Sequence, residues 1–137
     1  MQLYDWDKKY SVDFEPIDTQ HKMLLGMINK LLLNQLKDKK IILMLMDEVV
    51  LYAKFHFFSE ENFMQIYDYS DFKNHKTEHT DLLNEVISKS TLYIEDKIKL
   101  EEVVKFLVNW FVVHTTKGDR ELGKYLKEIT GDKGKNL

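Results

Sequence analysis

Two residues constrain the fold more than any other part of this sequence: His56 and Glu60, four positions apart in a segment with helical periodicity. On an α-helix this spacing places both side chains on one face, one turn apart. The rest of that face is apolar or aromatic and carries Ile42, Leu45, Val49, Tyr52 and Phe63. The pattern predicts a carboxylate that is buried, at a cost of roughly several kcal/mol unless a cation compensates its charge.

The composition favours long helices around one core. The chain has 137 residues, 44% of them hydrophobic, with one proline and five glycines. So few turn-forming residues leave little room for hairpins or linkers. We therefore expect one domain over residues 1–137.

Hydrophobic periodicity predicts four helices, at residues 17–36, 40–65, 71–89 and 96–116. Short polar breaks join them, so consecutive helices must run in alternating directions. An arm over residues 1–16 is expected to end at Pro16, a shorter helix covers residues 121–129, and a frayed tail covers residues 130–137. The predicted fold is all-α: an up-down-up-down four-helix bundle with an extended N-terminal arm and a short C-terminal helix.

Charge and cysteine content exclude several partners. The net charge is −3, with acidic and basic residues interspersed, which argues against a nucleic-acid partner. No apolar stretch is long enough to predict a membrane segment. The absence of cysteine excludes disulfides and thiolate-based metal sites, and it is compatible with a cytoplasmic location, which we expect.

All five histidines fall on predicted inward faces: His21, His56, His75, His79 and His114. Two carboxylates accompany them, Glu60 and Asp119. A single buried histidine is usually a hydrogen-bonded core residue, and cross-bonded neutral imidazoles are the alternative interpretation here. Two buried carboxylates would then lack positive partners, so the set as a whole predicts a metal site.

Seven such groups exceed the four ligands of an ordinary zinc site and suit two six-coordinate ions that share bridges. Imidazole combined with carboxylate suits iron among the abundant metals. The ferritin-like di-iron alternative uses several glutamates, whereas this chain has one inward glutamate and a surplus of histidine.

Asp119 follows His114 by five residues, about 140° away from the same face of a regular helix. The helix must therefore widen there or end. Gly118, directly before Asp119, is expected to make that distortion easy.

The ordered pattern resembles the hemerythrin family, specifically the single-domain bacteriohemerythrins. It consists of His21, His56-x-x-x-Glu60, His75-x-x-x-His79 and His114-x-x-x-x-Asp119. Supporting matches are Asp5-Trp6-Asp7, the run from Ile17 to Lys22, and Trp110. The resemblance covers about residues 3–126.

The resemblance implies a non-haem di-iron site that binds dioxygen without catalysing a reaction. One iron would take His75, His79 and His114, and the other would take His21 and His56 and keep an open position for dioxygen. Glu60 and Asp119 would bridge both ions, together with an oxo or hydroxo group.

An apolar pocket is expected over the open position, with Phe57, Trp110, Phe111 and Thr115 as candidate residues. Thr115 and Phe111 stand where this family typically has isoleucine and leucine. Because Thr115 could bring a hydroxyl group or a water molecule near the bound ligand, we expect altered dioxygen release or faster autoxidation. Asp13 stands where the arm usually has glycine. Gln20 is the candidate for an outer hydrogen bond that orients a histidine.

The function predicted from these residues is reversible dioxygen binding for transport, storage or sensing. The alternatives are a redox enzyme that acts on peroxide or nitric oxide at the same site, and an oxygen-responsive signalling module. A protein partner is not predicted from the sequence.

Overall fold

The computed structural model describes residues 3–131, apart from the side chains of residues 115 and 116. A single 3₁₀ turn, Lys8–Tyr10, lies in the N-terminal arm. Five α-helices follow in chain order: α1 Glu15–Leu33, α2 Lys39–Ile66, α3 Phe72–Ile94, α4 Leu100–Thr116 and α5 Gly118–Thr130. None of the helices in this described part of the chain has the length and apolarity needed to cross a membrane.

Helices α1 to α4 form the bundle, and the predicted all-α fold is confirmed. Contacts of α1 with α2, α2 with α3, α3 with α4, and α4 with α1 close a ring of neighbours around one interior. α5 packs against α4 and extends the bundle at the end where the arm leads into α1. The longest helix, α2, has 28 residues and is about 42 Å long.

The interior contains two apolar clusters rather than one. The larger cluster includes Leu24 of α1 and Phe57 of α2 together with the inner residues of α4. The smaller one joins the arm, α1, α2 and α5, and it consists of Val12, Phe14, Ile17, Met64, Leu122 and Leu126. Along α1 and α2, a polar layer lies between these two clusters.

Several predicted helix ends are wrong by a few residues. α1 begins at Glu15, so Pro16 lies inside its first turn instead of ending the arm. A proline is tolerated there because the first backbone N–H groups of a helix have no intrahelical partner. At its other end α1 stops at Leu33 rather than Leu36. α4 starts at Leu100, and α5 extends beyond its predicted range at both ends.

The polar break predicted between residues 89 and 96 is wrong, because α3 is helical through Ile94. The hydroxyls of Ser90 and Thr91 donate to carbonyls one turn back, at Val86 and Ile87, so these polar residues do not interrupt the helix. The chain leaves the helix at Asp96, which has a left-handed φ of 58°.

Asp18 fastens the N-terminal arm to α1. Its carboxylate accepts hydrogen bonds from the Ser11 hydroxyl (2.6 Å) and the Val12 N–H (2.8 Å). Asp13 lies between Val12 and the start of α1 and has a φ of 58°. Glycine adopts this left-handed conformation without strain, and aspartate tolerates it. This conformation gives a physical reason for glycine to be usual at this position.

Gly123 allows α5 to approach the arm closely. A Cβ added there would lie 2.2 Å from the backbone oxygen of Val12, so the backbone would have to move. We predict that Gly123→Ala lowers the free energy of unfolding by about 1–3 kcal/mol, measured by denaturant titration. Gly26→Ala is the matched control, because no atom lies within 4 Å of its added Cβ. It should stabilise the protein by roughly 0.5–1 kcal/mol, and equal effects of the two variants would contradict this packing.

Candidate metal centre

The polar layer contains the seven residues singled out in the sequence. α1 contributes His21, α2 contributes His56 and Glu60, and the remaining four residues come from the other helices: His75, His79, His114 and Asp119. All seven are buried, with relative exposures of 0–4%. Their candidate ligand atoms form two groups with separations within 4.8 Å, and Asp119 belongs to both. One group contains His21, His56, Glu60 and His114, and the other contains His75 and His79.

The two oxygens of Glu60 face different histidines. Oε2 lies 3.2 Å from His56 Nε2 and 3.9 Å from His21 Nε2. Oε1 lies 3.1 Å from His79 Nε2 and 3.7 Å from His114 Nε2. A carboxylate placed in this way between two sets of imidazoles has the geometry of a bridge between two cations.

Asp119 reaches the same layer because the chain breaks between α4 and α5. Lys117, the residue between the helices, has φ −111° and ψ −81°, so the helix ends rather than widens. The new helix directs Asp119 Oδ2 to 2.8 Å from His21 Nε2 and 2.7 Å from His114 Nε2. Its position in the first turn of α5 also favours a negative charge.

Gly118 serves the centre through its lack of a side chain. Its φ is not left-handed, and the expectation that it eases the end of the helix stays a prediction. A Cβ at this position would lie 3.3 Å from both Cε1 and Nε2 of the His75 ring. Glycine therefore lets α5 pass close to this imidazole.

Two histidines are oriented by hydrogen bonds from their outer nitrogens. His56 Nδ1 lies 2.7 Å from Gln20 Oε1, and the Gln20 amide donates to the Ser59 hydroxyl at 2.9 Å. His79 Nδ1 lies 2.9 Å from Glu61 Oε2. These acceptors hold the proton on Nδ1 and leave Nε2 directed at Glu60.

Glu61 is a site residue that the sequence analysis missed. The one feature of the sequence that could have indicated its role is its position next to Glu60, on the flank of α2 that faces α3. That signal can be interpreted only once the neighbouring helix is known, because its partner His79 is 18 residues away.

The unsatisfied atoms of this layer fit bound cations. Both oxygens of Glu60, Oδ1 of Asp119, and Nε2 of His56, His79 and His114 are buried without a hydrogen-bond partner. Among the described residues, every ion-pairing group within 4.0 Å of these two carboxylates belongs to a histidine. Lone pairs of nitrogen and oxygen that face one another across such gaps require positive charge between them.

Without metal, protons must supply that charge. Burial lowers the pKa of His56, but the charge of Glu60 and hydrogen bonds to both carboxylates outweigh it and raise that pKa to about 9. For His114, burial is likewise outweighed, chiefly by Asp119, and the pKa lies well above its ordinary value. Burial and the Glu60 charge raise the pKa of Asp119, but His114 and His21 lower it further, to about 2. Two protonated imidazoles thus balance two carboxylates.

Aromatic rings surround the centre. Phe57 stacks on His79 with ring centroids 4.1 Å apart, and Trp110 stacks on His114 at 5.4 Å. Phe111 packs edge-on against His21 at 5.8 Å and is itself covered by Tyr10 of the arm at 5.3 Å. The side chain of Thr115, the fourth candidate for the pocket, lies outside the described part of the structure.

Comparison with known families and sequences places this arrangement in context. Residues 12–126 match the hemerythrin HHE cation binding domain. A bacteriohemerythrin of Clostridium acetobutylicum is 31% identical over 127 residues, which cover 87% of this chain and 98% of that protein. A bacteriohemerythrin of Methylococcus capsulatus is 31% identical over 129 residues, which cover 92% and 98%.

Solved structures agree with these matches. The crystal structure of a wild-type hemerythrin superposes with a TM-score of 0.82 at 28% identity and covers 91% of this chain and 98% of that one. A hemerythrin mutant gives a TM-score of 0.83 at 29% identity, with 92% and 98% covered.

The metal-free protein should lose stability as the pH rises. The pKa of His56 is about 9 in the folded protein against an ordinary 6.5, so its protonated ring stabilises the fold fully below pH 6.5. That contribution, on the order of 3 kcal/mol, is lost between pH 6.5 and 9. Denaturant unfolding of metal-free protein across this range measures it. Metal-loaded protein is the control and should show no such decline, because bound metal keeps the imidazoles deprotonated. Metal-free stability that is constant or rises with pH would contradict the charge pattern.

Removing the outer partner of His79 should weaken metal binding. Glu61→Ala leaves Nδ1 of that ring without its acceptor, and losses of about 10–100-fold in affinity are typical for such partners. Competition with a chelator measures the change. Glu48→Ala, on the same helix but paired with Lys30 at 2.9 Å, is the control and should leave the affinity unchanged. Equal affinities of the two variants would show that this hydrogen bond does not orient the ring for metal.

Proposed function

Because this chain belongs to the hemerythrin family, we propose that it binds dioxygen reversibly at two iron ions held by its seven buried histidine and carboxylate side chains. The observation that carries the proposal is the placement of Glu60, whose two oxygens face different histidine pairs. The chemistry supplied by the metal is the reversible transfer of two electrons to dioxygen from a pair of ferrous ions.

The proposed division of histidines between the two ions is the one that the hemerythrin family implies, and the contacts of Glu60 support it in part. On the Oε1 side, His79 and His114 would hold one ion together with His75, which groups with His79. In the metal-free geometry His114 also lies close to His21 and His56, because all three imidazoles contact Asp119. On the Oε2 side, His21 and His56 would hold the other ion. Glu60 and Asp119 would be shared by both ions, so three histidines would complete the set of protein ligands at one ion and two histidines would complete it at the other.

The aromatic rings supply the apolar surroundings that this chemistry requires. Phe111 packs edge-on against His21, which would hold the ion with the open position, and Phe57 lies between His56 at 5.6 Å and His79 at 4.1 Å. They would exclude the water and anions that promote loss of electrons from the metal. Trp110 packs on His114 and supports the coordinatively filled side. The expected effect of Thr115 on ligand release stays a prediction.

We propose binding rather than catalysis, and a cytoplasmic setting with dioxygen as the partner. Transport, storage and sensing all need the same reversible step. The redox-enzyme alternative, with peroxide or nitric oxide as substrate, would use the same centre irreversibly.

Repeated oxygenation distinguishes these functions. Protein loaded with ferrous iron under anaerobic conditions should develop visible absorption bands when air is admitted. It should lose them on deoxygenation and regain them over many cycles. Glu60→Gln is the variant that should fail to load two ions. Bands that decay irreversibly, with consumption of peroxide or nitric oxide in each turnover, would contradict a carrier and favour the enzyme.

A further inference from the structure

An apolar stripe runs along the outside of α2. Its four members, Met44, Leu51, Phe55 and Phe58, have relative exposures of 59%, 66%, 55% and 64%. Residues 44, 51 and 58 are seven positions apart, or nearly two helical turns, so they lie in line over about 21 Å. We call these four residues the outer α2 stripe. Contiguous exposed apolar surface of this kind marks a contact with another molecule.

The neighbours of α2 show which way the stripe faces. On one flank the Tyr52 hydroxyl donates to the Gln20 carbonyl of α1. On the opposite flank Glu61 contacts His79 of α3. The stripe lies between these flanks, on the side of α2 turned away from the bundle interior. Met23 of α1, which is 52% exposed, lines a surface groove together with Glu48 on the first flank.

The stripe matches itself when it is reversed. Leu51 is the midpoint between Met44 and Phe58, seven residues from each. In a two-fold contact between antiparallel copies of α2, Leu51 of one copy meets Leu51 of the other. Met44 then lies opposite Phe58 of the second copy. A partner of different sequence would not require this symmetry.

The charges beside the stripe match in the same arrangement. Asp47 and Lys54 lie on the flank of α2 that faces α3, four residues before and three residues after Leu51. Both are exposed, and neither forms an ion pair within residues 3–131. Reversal of the helix about Leu51 brings Asp47 of one copy beside Lys54 of the other, twice in the dimer. On the opposite flank, Glu48 is already held by Lys30.

We propose that this protein forms a two-fold symmetric dimer through the outer α2 stripe, with antiparallel α2 helices centred on Leu51 and flanked by two Asp47–Lys54 ion pairs between the copies. The contact leaves the buried histidine layer intact, since the stripe and that layer lie on opposite faces of α2. The dimer does not depend on bound metal. The interface follows a single helix from each copy, so it belongs to the smaller specific protein–protein interfaces. We therefore expect a dissociation constant of the dimer in the micromolar range.

Charge reversal tests this dimer directly. Sedimentation velocity across the micromolar range should show a concentration-dependent monomer–dimer equilibrium for the full chain. Lys54→Glu and Asp47→Lys should each weaken dimerisation by about tenfold, because two attractive pairs become repulsive. The double variant restores opposite charges with the signs exchanged, and it should dimerise within about threefold of the original protein.

A second pair of variants tests the apolar contact at the centre of the stripe. Leu51→Glu places two like charges at the two-fold axis and should abolish the dimer. Leu36→Glu changes an even more exposed leucine, 97% accessible and outside the stripe, and should have no effect. Circular dichroism of each variant verifies the fold. A protein that stays monomeric would overturn the proposal, and the face would then be left to a different partner. A dimer insensitive to Leu51→Glu, or a double variant no better than the single ones, would overturn it equally.

Discussion

The rest of this structure depends on one constraint: two ionised carboxylates are buried in the interior, and their charge must be balanced there. Glu60 and Asp119 are fully buried, and their ion-pairing neighbours in the described structure are imidazoles. A buried charge without compensation costs about 3–5 kcal/mol, a large part of the stability of a domain of this size. The interior must therefore hold either protons on His56 and His114 or metal cations. Every helix contributes a side chain to this layer, because the groups that balance the two negative charges must all lie beside Glu60 and Asp119.

The surroundings of that layer keep its groups in place. Apolar clusters lie on both sides of it, so water is kept away and electrostatic interactions are strong. Hydrogen bonds to Gln20 and Glu61 fix His56 and His79, and stacked aromatic rings restrict His79 and His114. The break at Lys117 turns Asp119 inward, which an unbroken helix would not do. Because these side chains are already held in place, metal binding loses less conformational entropy than it would with mobile ligands.

Residue spacing along single helices could be predicted from the sequence, and contacts between helices could not. The four-residue spacing of His56 and Glu60 is a local property of one helix, and so is the five-residue spacing that required α4 to end before Asp119. The pairing of Glu61 with His79 depends on which helix lies beside α2. The end of α3 was misjudged because serine and threonine favour turns in isolation, whereas their hydroxyls here bond back to the helix. The roles of Gly118 and Gly123 are steric and become visible only when the opposing atoms are placed.

The stoichiometry of iron binding tests the central claim most directly. Metal-free protein is titrated anaerobically with ferrous iron, and bound metal is quantified per chain after removal of excess. The arrangement of seven ligands around a bridging Glu60 predicts saturation at two ions per chain. Saturation at one ion, or a natively folded chain that retains none, would contradict the assignment of this layer as a di-iron centre.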